Sequence, residues 1–587
     1  MSLEKPSWLG VSAMIKKNIF FLAAFVFFAV ILNSSHVLAA NQKIDADALE
    51  YLLIQEGGRV KPIGTFFSES VLMITGKTRF ERQRASELCL SWIGDPREYE
   101  QKPIVYLSRE ELKKVIHLDS KKKYFSPLEL AQNEEFQNYL KEVDVRQKNK
   151  QKLNQTEQEA LRLFGRLDRF YGIAQGTALK IVPYTKVSKN AWISPVDLMP
   201  GHELSEGMDV KLRFDFLAVF GTVVQMFKMK EKVSFDTAAK VLTTIQQKIA
   251  ESSGISLGKY PVSQEIFYNE LSPFSKAWKF YLLAFILLLI SVYGRNVWIG
   301  RAGFLAFALG FAVHTAGFVL RCWIAGRPPV SNMYESIIWV SWGVVFFASI
   351  LGMIYRQKLY FLAASAISAI GLILSASAPT VLNPHIANLE PVLRSNFWLT
   401  IHVMTITLSY AAFALALGIG HYNLFLFGWR NNDKEKLKAV NLFLYRTIQI
   451  GVILLAAGTI LGGVWANYSW GRFWGWDPKE VWALIALLGY LSILHGRYAG
   501  WLQEFGMAVA SVIAFLGVLM AWYGVNFVLG VGLHSYGFGG GGLPYVITGI
   551  LLDLLFVGLV TWRHLQGRKA KGRINSSKNI SSVFTKD

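Results

Sequence analysis

Two cysteines, Cys89 and Cys322, are the whole thiol complement of this 587-residue chain. Neither belongs to a C-x-x-C pair, which excludes a thiolate zinc site and a local dithiol redox centre. No C-x-x-C-H is present either, so the chain carries no covalently attached c-type haem of its own. Charge is scarce as well, at 17% of residues against about 25% in soluble proteins. The shortage is concentrated beyond Ala277, where long apolar segments follow one another between short loops. Acidic residues are outnumbered, 41 against 61 basic, for a net charge of +20. Membrane proteins collect Lys and Arg on cytoplasmic loops. No nucleic-acid-binding module is recognisable, so the surplus points to the bilayer and not to nucleic acid.

What is abundant is hydrophobic sequence, 52% of the chain. A bilayer crossing needs about 20 apolar residues, and such a segment must be helical to satisfy its own backbone. The pattern predicts helices near 277–294, 299–320, 334–354, 359–376, 397–428, 444–466, 480–497, 504–527 and 544–562. Residues 1–40, with Lys16 and Lys17 before an apolar run, read as a signal peptide or signal anchor. Residues 41–272 read as a soluble, mainly helical domain, with helical periodicity at 156–171 (Leu161, Leu163, Phe164, Leu167, Phe170) and 237–250. Gly57-Gly58 and Pro62-Ile63-Gly64 mark turns there. Residues 273–565 form a polytopic membrane domain, and 566–587 a basic tail. The expected fold class is therefore an all-α polytopic membrane protein with an extracytoplasmic helical domain.

Basic residues orient the helices. Arg295, Arg301, Arg356, Lys358, Arg430, Lys434, Lys436, Lys438, Arg497 and the tail occupy alternate connections, which places these in the cytoplasm. Loops 321–333, 377–396, 467–479 and 528–543 then face outward, together with residues 41–272. The export signal and the loop charges agree.

Two anomalies lie on that outward side. Residues 470–476 hold four aromatic rings, Trp470, Phe473, Trp474 and Trp476, followed by Asp477, Pro478 and Trp482. Such a loop can form a flat platform for a planar ligand, or it can be the aromatic belt of a membrane interface. Asp477 suits a helix N-cap, with Pro478 in the first turn. His402 lies just inside the outer end of its helix and His534 in the outer loop before the last one, while His495 lies near the inner end of the helix that follows the Trp loop. Membrane histidines often pack as satisfied polar groups, yet intramembrane ionisable residues are functional candidates. Two outward histidines beside a Trp loop suggest axial ligands to haem iron. The glycine run ending at Gly542 follows no strand and reads as a flexible loop.

The segment from Trp470 to Trp482 resembles the tryptophan-rich WWD signature of haem-handling membrane proteins. With the segments around Arg327–Ser336, Asn396–Val403, Leu494–Arg497 and Gly532–Tyr536, in that order along roughly 300–562, the chain is similar to the CcsA family of cytochrome c biogenesis proteins (system II). Gly58–Phe66 resembles a segment found before the membrane half in some longer members. The resemblance implies transport of haem b across a bacterial inner membrane and its covalent attachment to apocytochrome c, as part of a cytochrome c haem lyase. It implies His402 and His534 as outer axial ligands, and His402, His534 and Asp477 as catalytic residues. It makes His495 one ligand of an inner haem site. Trp470, Trp474, Trp476, Asp477 and Trp482 would be haem contacts. The second inner ligand is expected from a ResB/CcsB-like membrane partner, with His314 and His421 as substitutes within the chain. Membrane lipid is the remaining partner. A membrane-bound b-type cytochrome and a solute transporter are the alternatives.

Overall fold

The computed structural model describes residues 46–151, 153–185, 191–294, 296–379, 381–387, 396–429, 434–530, 532–533 and 542–583. The signal segment 1–40 and His534 lie outside the described residues.

The N-terminal body begins with a hairpin, β1 (Leu53–Glu56) and β2 (Arg59–Pro62), paired antiparallel from Leu53↔Pro62 to Glu56↔Arg59. Its two-residue turn places Gly57 at φ 56° and Gly58 at φ 79°, the left-handed geometry that matches strand twist. Pro62 then caps a helix, so the Pro62-Ile63-Gly64 segment is a strand-to-helix junction and not a turn. Helices α1 (Ile63–Thr75), α2 (Ala85–Gly94), α3 (Glu134–Lys148), α4 (Gln155–Ala174), α5 (Val210–Met229), α6 (Lys232–Ser252) and α7 (Val262–Leu271) follow. A second short hairpin pairs Val105–Tyr106 with Tyr124–Phe125. Asn154 and Glu157 form a capping box that starts α4. That helix buries Leu163, Leu167, Phe170 and Ile173 and leaves Phe164 exposed. The sequence placed Phe164 inside; the buried face turns one residue away from it.

One hydrophobic core, including Phe66, Trp92, Leu163, Phe170, Phe216 and Leu242, closes this body. Buried Gln246 on α6 stitches the hairpin to it, donating to the carbonyls of Leu53 (2.7 Å) and Ile181 (2.6 Å) and accepting from the Leu53 amide (3.0 Å).

The second core runs from Phe274 to Val560. Nine helices among the described residues are long and apolar enough to cross a membrane, which makes the chain a multi-pass membrane protein. They are α8 (Pro273–Gly294, continuing from α7), α9 (Val297–Ala325), α10 (Met333–Ile354), α11 (Lys358–Ser377), α12 (Asn396–Trp429), α13 (Lys434–Trp470), α14 (Pro478–Tyr498), α15 (Glu504–Leu519) with its extension, and α16 (Leu543–Val583). Each coincides with an expected span. The largest differences are α13, which begins ten residues earlier than the apolar run at 444, and α16, which continues to Val583 through the basic segment read as a tail. Helical hydrogen bonding extends beyond the apolar stretch where water can solvate Lys and Arg.

Helix α12 is the hub, packed on α10, α11, α13, α15 and α16. After Leu519 the helix widens into π-helical turns over Met520–Leu529. Such turns frequently mark functional regions, and this one leads to the loop that holds His534.

Candidate functional site: the Trp loop and its histidines

The α13–α14 connection is built around one carboxylate. Glu480 Oε2 accepts the backbone N–H groups of Asp477 (3.1 Å) and Gly475 (2.8 Å), and Asp477 Oδ2 accepts that of Lys479 (3.1 Å). This is a capping box, so the Asp-Pro start of α14 is as expected. Arg472 reaches Glu480 at 3.4 Å and lies 5.6 Å over the Trp470 ring. Phe473 rests where a side chain on Gly463 would be, 2.5 Å from an added Cβ.

The aromatic rings do not form one flat platform. Trp474 meets Trp476 at 89° and Trp465 meets Trp470 at 69°. Trp476 is 71% exposed with φ +57°, a conformation that costs a non-glycine residue about 1–2 kcal/mol. Trp474 and Trp482 are half-buried.

The near-parallel partner of the site is instead His402, whose ring lies 9° from the plane of Trp465 at 6.2 Å. Its Nδ1 is 2.8 Å from the Gly458 carbonyl. A carbonyl only accepts, so Nδ1 carries a proton. Gly462 makes room: a Cβ there would stand 2.5 Å from His402 Cε1. Gly458, Gly462 and Trp465 were not singled out in the sequence. Their signal was the spacing of small residues on one face of α13, which lets α12 approach closely.

His534 itself lies outside the described residues, but the two residues before it do not. Leu533 N–H donates to Asp477 Oδ1 at 2.6 Å. Gly532, at φ +100°, passes so close that a Cβ would meet the Asp477 carboxylate and stand 2.9 Å from Pro478 Cδ. Asp477 is buried and uses one oxygen to cap α14 and the other to hold this second loop. Lys479 donates to Asn526 on the π-helical turns (3.2 Å), and Asn526 to the Trp522 carbonyl (3.1 Å). Lys479 and Asn526 are a further pair the sequence did not point to.

His495 stands at the other end of α14. At 1.5 Å per residue it is roughly 27 Å along the axis from Asp477 and the Trp loop. Its Nδ1 donates to the Leu491 carbonyl at 2.9 Å, and the side chain is exposed on the surface of this chain. His314 is fully buried, with Nδ1 3.1 Å from the Tyr281 hydroxyl and Nε2 3.1 Å from the Ile338 carbonyl. His421 has Nδ1 on the Leu417 carbonyl (2.8 Å) and Nε2 on Asp553 (2.6 Å). Both are engaged through both nitrogens.

Residues 330–534 match the family described as "Cytochrome C assembly protein". NrfI of Wolinella succinogenes is 28% identical over 516 residues, 84% of this chain and 55% of that one, so the chain spans about half the length of that relative. CcsA of Prochlorococcus marinus (strain MIT 9312), described as a cytochrome c biogenesis protein, is 36% identical over 256 residues, which cover 38% of this chain and 80% of that protein. Among solved structures, a chain titled "Cytochrome c Heme Lyase CcmF" aligns over 50% of each chain with 17% identity and a TM-score of 0.34. With four fifths of that CcsA matched at 36% identity, the chain belongs to the CcsA family of cytochrome c biogenesis proteins.

Proposed function

We propose that the chain takes haem b as its substrate near His495, moves it through the membrane domain and presents it at the Trp-loop end between His402 and His534. There the C-x-x-C-H thiols of apocytochrome c are joined to it. On this reading residues 41–272 and the Trp loop lie outside a bacterial inner membrane, and a ResB/CcsB-like partner offers the second ligand opposite His495. The exposure of His495 on this chain's surface supports that last part.

The observation that carries the reading is the His402–Gly458 hydrogen bond. It puts a proton on Nδ1 and fixes the ring orientation, as the second-shell bond of a metal-ligating histidine does. Each thiol adds across a vinyl group: a C–S bond forms, the proton goes to the terminal carbon, and no oxidant is consumed. The contribution of the protein is then positioning, where effective molarities are largest.

The test is co-expression in a host without its own maturation system. Covalent cytochrome c should form with the wild-type chain and a ResB-like partner, and fail with His402→Ala until imidazole is added. Normal maturation by His402→Ala and His534→Ala would overturn the outer site. Purified chain without bound haem would overturn the reading as a whole.

A further inference from the structure

The N-terminal body is not merely tethered to the membrane domain. Three arginines grip three successive carbonyls of the α11–α12 connection. Arg321 on α9 donates to His385 (3.3 Å), Arg59 on β2 to Ile386 (3.1 Å) and Arg327 to Ala387 (2.8 Å). Arg59 belongs to the N-terminal body, and its guanidinium is also paired with Glu265 on α7. The half-buried His385 side chain feels the charges of Glu69, Lys61 and Glu56 of the same body and of Arg321 of the other, and burial pushes its pKa down.

Behind these carbonyls stands Glu335, fully buried at the start of α10. It accepts from Arg321 Nε (3.1 Å) and Nη2 (2.9 Å), Arg327 (3.2 Å), and the amide and hydroxyl of Ser331 (2.9 and 2.8 Å). Arg321 also donates to the Tyr268 hydroxyl on α7 (3.2 Å). A buried carboxylate with this many donors is satisfied only in one arrangement, and removing one partner leaves an uncompensated charge.

The first two turns of α10 connect that cluster to the π-helical turns and to α12. Ser336 Oγ accepts from Trp522 Nε1 (2.9 Å) in the π-helical turns that hold Asn526 and Lys479. Trp339 Nε1 donates to the Met404 carbonyl (3.3 Å), two residues beyond His402 on α12.

We infer that Arg59 is a positioning residue for His402, acting through carbonyls 385–387, the Arg321–Glu335 pair and α10. The inference rests on the reading of His402 as a haem ligand. The N-terminal body thereby sets the geometry of a site to which it contributes no ligand, and the segment Gly58–Phe66 has a task that its place in the sequence did not reveal.

The experiment is an imidazole titration of haem absorption in the purified full-length chain. A well-held His402 resists displacement, and a loosened one yields to lower imidazole. Arg59→Ala is expected to lower the midpoint about tenfold, within the range of couplings seen for mutations remote from a ligand. Arg84→Ala, which breaks a surface pair with Asp47, should leave it unchanged. A merely structural loss would reduce abundance and not shift the midpoint. Glu265→Gln, which keeps the shape of α7 and removes the ion pair, should shift it in the same direction. It decides the matter if Arg59→Ala does not accumulate. His402→Ala is the reference. If its midpoint falls while those of Arg59→Ala and Glu265→Gln do not, the inference is overturned and the haem reading stands. If His402→Ala does not move the midpoint, the haem reading fails and the inference with it.

Discussion

Leu533 N–H donates to Asp477 Oδ1 at 2.6 Å, so the residue that begins α14 also holds the loop that contains His534. Capping and loop-holding use different oxygens and can be separated. Asp477→Ala removes both, and loss of the cap alone costs about 1 kcal/mol. Asp477→Ser restores an N-cap with one short hydroxyl and leaves the Leu533 amide without its acceptor. We expect both variants to mature cytochrome c at least about tenfold less well, since misplacement by about 1 Å in a positioned site can cost about a hundredfold. Asp477→Ser should accumulate normally. Full maturation by Asp477→Ser would reduce Asp477 to a cap.

Gly462 tests the His402 seat from the opposite side. A methyl group there would stand 2.5 Å from His402 Cε1 and 2.8 Å from Nδ1, so the ring must leave the Gly458 carbonyl. Gly489, on α14, has nothing within 4 Å of an added Cβ, and alanine there is favourable for the helix by about 1 kcal/mol. Gly462→Ala should lose the outer haem and recover part of its activity with imidazole, while Gly489→Ala behaves as wild type. Equal haem content in the two proteins, measured by pyridine haemochrome, would contradict the proposed seat.

The spans were legible because 20 apolar residues in a bilayer leave the backbone no alternative to a helix. The Asp477–Glu480 capping box was half legible: the N-cap and Pro478 are local signals, whereas the hold on Gly475 depends on the path of the loop. Trp465 was not legible as the partner of His402, because 63 positions separate them and only the close packing of α12 on α13 brings the rings together. The flat platform failed for a related reason. Four aromatic residues in seven specify a cluster, but ring orientation follows from the positive φ at Trp476 and from Phe473 on Gly463. The role of Arg59 was hidden because its acceptor lies 327 positions away and is a backbone carbonyl, which no side-chain pattern announces.

The histidines of the membrane domain should divide by what their nitrogens already do. His314 bridges the Tyr281 hydroxyl and the Ile338 carbonyl in the core. His314→Leu leaves those groups unsatisfied, at about 1–3 kcal/mol, so the abundance of the chain should fall while haem per molecule stays constant. His495 is exposed, and His495→Ala should do the reverse, with normal abundance and less haem per molecule. His421→Asn should follow His314. If His421→Asn alone abolishes haem binding, the Asp553 pair is a resting state of a ligand and not a structural contact.

Trp476 offers the sharpest separation of ligand contact from interfacial anchoring. Its backbone is held at φ +57° with the ring 71% exposed. A belt residue needs only an aromatic ring at the interface and gains nothing from a strained backbone. A strained residue at a site is held there by its surroundings, and strain of this kind clusters where function requires it. Trp476→Gly relieves the strain and deletes the ring. Trp476→Phe keeps a ring and the strain. On the anchoring reading Trp476→Phe is silent, and Trp476→Gly has no more effect than Trp323→Ala, another exposed tryptophan, located just before the loop that contains Arg327. On the haem-contact reading Trp476→Gly gives a chain at least as abundant as wild type, because about 1–2 kcal/mol of strain is gone, yet with maturation reduced about tenfold or more. Abundance and maturation measured on the same membranes distinguish the two. Wild-type maturation by Trp476→Gly would return the ring to the status of an interfacial anchor.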